Sequence, residues 1–191
     1  MKNPIIFSIL FFIISSISSF GQGVWIEENV DPETGLKIGK IEVNGDVYEI
    51  KQRAKLEEAD LSGANLEGAD LRNVDLRRSN LKETNLQVSN LRYSNLLGTN
   101  LSGARLREAN LSNVVLNEAN LTGANLVGAN LANVRGYDIN LSGADLSGAN
   151  VSGVFFDYGI LKDANFTNTN LKGTKFVESD IRGANFTNAD L

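Results

Sequence analysis

The chain of 191 residues contains no cysteine and no histidine. Without cysteine there is no disulfide framework, no thiol nucleophile and no thiolate metal site. Without histidine the commonest general base and the imidazole metal ligand are missing. Charge of either sign is also modest. Lys and Arg number 18 against 23 Asp and Glu, a net charge of −5. A protein that binds DNA through its backbone needs a basic footprint, so no nucleic-acid partner is expected. The strongly apolar run Ile5 to Ile14 is about half the ~20 residues that cross a bilayer.

That run has the form of a leader. Lys2 supplies a positive n-region, Ile5 to Ile14 an apolar h-region, and Ser19-Phe20-Gly21 the small residues for cleavage before Gln22. Residues 1–21 are therefore read as a signal peptide. The mature protein is expected to be exported, periplasmic or secreted, with no membrane span after cleavage. Lipid anchoring at a cysteine is excluded.

Residues 22–53 differ in composition from residues 54–191. Trp25 to Val30 and Lys37 to Val43 read as strands, Asp31 to Gly35 as a turn, and Asn44-Gly45 as a hairpin signal before Val47 to Ile50. The pattern predicts a small antiparallel β meander that covers the open first coil of residues 54–191.

From residue 54 onward the sequence repeats every five residues, as in Ala-Asp-Leu-Ser-Gly and Ala-Asn-Leu-Glu-Gly from Ala59. The central apolar residue falls at Leu56 and at every fifth position to Leu191. That gives 28 repeats: 21 Leu, four Phe, and Gly136, Val151 and Ile181. The residue two before each centre is small or β-branched, and the residue one before is Asn or Asp in 21 of the 28. In an extended segment the centre and the residue two before it point the same way, so both are assigned to the interior. The two residues after the centre, often Ser-Gly or Glu-Gly, suit a corner. Four corners close a coil of twenty residues. About seven coils then stack at ~4.8 Å each.

This A-[DN]-L-x-x pattern resembles the pentapeptide-repeat family. The resemblance covers residues 54–191 and implies an all-β, right-handed quadrilateral parallel β-helix. It says little about function. The family includes cytoplasmic gyrase-binding DNA mimics, lumenal and exported proteins, and regulators of other proteins, and its motif carries no catalytic residues.

Residues twenty apart share a wall, and one wall departs from the pattern. It holds the centres Leu56, Leu76, Leu96, Leu116, Gly136, Phe156 and Phe176. Five of the seven repeats lacking Asn or Asp before the centre lie on it: Lys55, Val115, Arg135, Phe155 and Lys175. So do all four valines two before a centre: Val74, Val114, Val134 and Val154. Its outward positions Leu97, Val115, Arg135, Tyr137, Phe155, Tyr158 and Val177 form a candidate partner surface, because exposed apolar patches mark contact sites. The alternative accounts are structural. The valines could reflect a different turn type on this wall, the rings could pack on one another, and Ile139 could fill the space left by Gly136. The core residues Phe156 and Phe176 face Phe166 and Phe186 across the axis. Phe186 and Leu191 lie at the last repeat, where a C-terminal end-to-end homodimer is expected.

No nucleophile–base pair, phosphate loop or metal-ligand cluster stands out, and no cofactor is expected. Carboxylate pairs such as Asp157 and Asp163 read as solvated decoration. The seven N-x-[ST] sequons arise from the repeat itself. The reading is a non-enzymatic binding or scaffold protein with an unidentified protein partner. The alternatives are a gyrase-binding DNA mimic and a carbohydrate-directed protein of the periplasm or cell surface. The export signal opposes the DNA mimic, as does the small net charge of −3 over residues 54–191, from 16 acidic and 13 basic residues.

Overall fold

A computed structural model of the protein describes residues 23–191; the signal peptide expected at 1–21 lies outside the described residues. Three strands come first: β1 (Val24–Val30), β2 (Lys37–Val43) and β3 (Asp46–Ile50). They form an antiparallel sheet in the order β1-β2-β3. Asp31 Oδ1 accepts the amides of Glu33 and Thr34, which fixes the turn after β1. Asn44 and Gly45, both left-handed, make the tight β2–β3 connection. The register of β1 shifts between Trp25 and Glu27, a β-bulge. Gly39, which pairs with Glu28, has φ 139°, and a Cβ there would collide with the Glu27 carbonyl.

The meander is fastened to the repeat. Lys37 donates to Gly68 O and accepts from the Asp70 amide, both at 2.9 Å, and Trp25 Nε1 donates to Asn65 O at 2.8 Å. Ile41, Val43 and Ile50 are buried in the same apolar core as Leu61, Leu66 and Leu71. Asp70, fully buried at this junction, holds Arg72 through two hydrogen bonds of 2.8 and 2.7 Å and accepts a third from Gln52.

Beyond the meander the backbone advances by parallel bridges between residues twenty apart, from Lys55↔Asp75 to Asn170↔Asp190. Each bridge falls on the residue before a centre. The second residue after every centre, from Glu58 to Asn188, is left-handed. The amide of the next residue closes back on the centre's carbonyl, as Ala64 N to Leu61 O at 3.1 Å. That is a turn with φ > 0 at its third residue, and it recurs on all four walls. The expectation of a different turn type on the valine-bearing wall is thus corrected: the corner there has the same left-handed residue, and the four valines are simply buried core.

The centres fill the axis, and the leucines from Leu61 to Leu161 are fully buried. Burying each contributes about 1.5–3 kcal/mol. Ser and Thr two before a centre are buried without cost to satisfaction. The hydroxyl of Ser79 donates to Leu56 O, and those of Thr84 and Thr99 to Leu61 O and Leu76 O, at 2.7–2.8 Å. No buried polar side-chain atom among the described residues lacks a partner. No helix among them is long and apolar enough to cross a membrane.

Candidate functional site

The outward Asn and Asp residues do two jobs on a regular wall. Each Oδ1 accepts the amide two residues on, as Asp60 does from Ser62 at 3.1 Å. Several also join along the stack, as Asn80 to Asp60 and Asn170 to Asn150. A repeat without Asn or Asp at this place loses the first contact, and the aromatic wall supplies it from elsewhere. Asn117 Oδ1 accepts the Tyr137 amide at 3.1 Å, and Asp157 Oδ1 accepts the Val177 amide at 3.0 Å. In both cases the acceptor stands twenty residues earlier, just after a centre, and the unsupported repeat has Arg135 or Lys175 in the usual place. Sequence reasoning missed both residues. The signal was present: a polar side chain eighteen positions ahead of each cation. Asp157 is thereby a structural acceptor, and among the described residues no group of three or more acidic side chains is placed to hold a metal.

One column of this wall runs along parallel bridges through Val115, Arg135, Phe155 and Lys175. The rings of Tyr137 and Phe155 lie nearly parallel, with centroids 6.2 Å apart, and the Lys175 ammonium lies over the Phe155 ring at 5.1 Å. Phe155 is therefore partly covered by its neighbours, as are Leu97 and Val115. Tyr137 is 37% exposed, Tyr158 52% and Val177 52%, and Arg135 is exposed between the bridged Val115 and Phe155. Tyr158 occupies a left-handed corner, and its amide donates to Val177 O at 2.8 Å. Round that corner Ile160 is 45% exposed, in a place that the repeat gives to Asn or Asp. The structure thus brings Tyr137, Phe155 and Lys175 into contact and leaves Tyr158, Val177 and Ile160 open beside them.

The core beneath is irregular at the same level. Gly136 does not leave a void for Ile139, as the sequence suggested. The ring of Phe156 fills it, with Cδ1 3.1 Å from where a Cβ at 136 would stand. Ile139 instead occupies the small-residue place on the next wall, 3.2 Å from where a Cβ at Gly159 would stand. Large faces small twice between the same two coils. Phe156, Phe166, Phe176 and Phe186 form a cluster with centroids 5.1–6.4 Å apart. At the last repeat Phe186 is half-buried and Leu191 is 85% exposed.

The upper part of the wall is charged and internally paired. Arg77 bridges Asp75 at 2.7 Å and Glu57 at 3.0 Å, and Arg78 reaches Glu58 at 3.8 Å. The hydrogen bonds from Arg77 hold the Asp75 carboxyl below the usual carboxylate range.

These features define a β-solenoid of five-residue units with largely polar walls and an apolar, aromatic strip on one of them. The family model for pentapeptide repeats, in eight copies, matches residues 52–87, 69–107, 89–123, 99–135, 139–157 and 160–191, more than half of the chain. The chain belongs to the pentapeptide-repeat family, whose members fold as right-handed quadrilateral β-helices and are generally non-enzymatic structural or binding proteins. The stretches passed over, 136–138 and 158–159, contain Gly136, Tyr137, Tyr158 and Gly159. Among solved structures, the chain is 31% identical to HetL, a pentapeptide repeat protein involved in heterocyst differentiation regulation from the cyanobacterium Nostoc. That match covers 72% of this chain and 70% of HetL, with a TM-score of 0.35. It is also 31% identical to a pentapeptide repeat protein of the Arabidopsis thaliana thylakoid lumen, over 56% of this chain and 66% of that one, with a TM-score of 0.40. The plasmid-mediated fluoroquinolone resistance protein QnrB1 is 22% identical over 70% of this chain and 78% of its own, with a TM-score of 0.33. A search of curated proteins finds no match.

Proposed function

We propose that the protein is an exported, non-enzymatic binding or scaffold protein that engages a protein partner through the aromatic wall. The observation that carries this reading is the exposure of Tyr137, Tyr158, Val177 and Ile160 on and next to the wall where Tyr137 stacks on Phe155. Exposed apolar patches of this kind mark contact sites. The meander serves as the cap of the first coil, since it takes up Gly68 O and the Asp70 amide and extends the core with Ile41 and Ile50. Export rests on the leader at 1–21. The test has two arms. Mass spectrometry of the exported protein should find Gln22 as its first residue; intact Met1 on a cytoplasmic protein would reject export and reopen the gyrase-binding reading. Partner capture should be lost when Tyr137, Phe155 and Tyr158 are changed together to Ser with the fold retained. Undiminished capture would reject the wall.

A further inference from the structure

On the aromatic wall, the residue one before each centre and the residue two after it come in complementary couples. Lys55 goes with Glu58, Asp75 with Arg78, Arg135 with Asp138, Phe155 with Tyr158 and Lys175 with Glu178. Four of the seven couples are opposed charges and Phe155 with Tyr158 pairs two rings; Asn95 with Gly98 and Val115 with Glu118 are neither. The first members form the bridged column, and the second members form the left-handed corner column. Both columns run along the stacking direction and both reach solvent. On the upper wall Glu57, Glu58, Asp75, Arg77 and Arg78 pair with one another, and Lys55 alone stands outside these bridges. Lower down, among the described residues, Arg135, Asp138, Lys175 and Glu178 enter no ion pair.

We propose that this wall is a side-by-side, parallel two-fold interface with a second copy of this chain. The two-fold axis would run along the stacking direction, between the two columns. Rotation about it keeps every coil at its own height and exchanges the columns. Arg135 then meets Asp138 of the second copy, Lys175 meets its Glu178, and Phe155 meets its Tyr158, each contact made twice as an isologous interface requires. The intervening column changes character to match. From Glu57 and Arg77 it passes to Leu97, Asn117, Tyr137, Asp157 and Val177, so the residues near the axis are largely apolar or neutral where the copies touch. Asp157 is the charged exception, and its Oδ1 is engaged by the Val177 amide. A two-fold across the wall would instead set cation column against cation column, which electrostatics disfavours. Five coils at ~4.8 Å give a strip on the order of 20 Å tall. That places the contact at the small end of specific interfaces and makes the dimer concentration-dependent.

The proposal rests on the reading of this wall as the contact surface, and names its occupant. Sedimentation velocity on the purified protein over a wide concentration range tests it. The protein should pass reversibly from monomer to dimer. Lys175→Glu alone and Glu178→Lys alone should each weaken association by roughly tenfold or more. Mixing the two variants should restore it, because every facing couple is then opposite in sign, and the double variant Lys175→Glu/Glu178→Lys should also associate. A protein that stays monomeric at all concentrations overturns the proposal. So does a dimer indifferent to both variants, or one lost only with Phe186→Glu. If the protein is monomeric while capture of another protein still depends on Tyr137, Phe155 and Tyr158, the wall stands as the contact surface and the second copy falls as its occupant.

Discussion

The Phe156 ring stands where a side chain on Gly136 would go, with its Cδ1 3.1 Å from the position of a Cβ there. Leucine occupies sixteen successive centres before Gly136, so Gly136→Leu would restore the repeat and yet overfill the core. It should destabilise the protein by about 1–3 kcal/mol, the usual cost of overpacking. Adding Phe156→Leu should recover much of the loss. Thermal or denaturant unfolding of the two variants reads the coupling directly. Simple addition of their separate effects would mean that the ring does not depend on the glycine.

Val88 is a β-branched residue held left-handed, at φ 50°, and it is half-exposed. That conformation costs an L-residue roughly 1–2 kcal/mol. Val88→Asn should therefore stabilise the fold by about 1 kcal/mol, since Asn adopts this region readily and little buried area is lost. Urea unfolding with an unchanged slope and a higher midpoint is the expected record.

Leu121 is fully buried, whereas the Asn120 side chain accepts only the amide and hydroxyl of Thr122 at the surface. Leu121→Asp should unfold the repeat, because it puts a carboxylate into a dry axis. Asn120→Ala should cost about 1 kcal/mol. Equal melting of the two variants would reverse the assignment of inward and outward positions.

The Asp180 carboxyl is drawn down to about 2 by the hydrogen bonds it accepts from the Arg182 side chain and amide. A depressed folded value means that its contribution is present above the ordinary carboxylate range and disappears as pH falls towards 2. Asp75 and Asp60 are displaced the same way, by Arg77 and by Ser62. The protein should lose stability progressively as pH falls from 4 to 2. Carboxyl titration by NMR should show Asp180 ionised at pH 3, and Arg182→Ala should move it back towards 3.8.

Asn117 takes the Tyr137 amide in place of the Asn or Asp that Arg135 replaces. Arg135→Asn should therefore make Asn117→Ala nearly harmless, whereas Asn117→Ala alone should cost about 1 kcal/mol. A double-mutant cycle in denaturant measures the difference, and strict additivity would show that the two acceptors do not substitute for each other.

Much of this protein was legible before any coordinates. A five-residue period with a large apolar centre permits one arrangement of inward and outward positions, because side chains two apart in extended chain share a side. The burial of the leucines is a consequence of that alone. Alternation in residues 37–50 and the Asn44-Gly45 pair were enough to mark the hairpin. The aromatic wall was legible too, as residues twenty apart, and so was the meeting of the four phenylalanines.

The sequence left open the relations of size and reach between coils. That Phe156 rather than Ile139 fills the space at Gly136 depends on how far a ring extends across a gap of one coil. That Asn117 and Asp157 stand in for absent partners depends on two side chains reaching the next coil. The turn type on the valine wall was a matter of φ, which valine two places before a centre does not dictate; the corner residue is left-handed on every wall. The repeat determines the solenoid, since every unit makes the same local choice; the tertiary structure decides the surface, since exposure of Tyr158 and cover over Phe155 are properties of neighbours that lie twenty residues away.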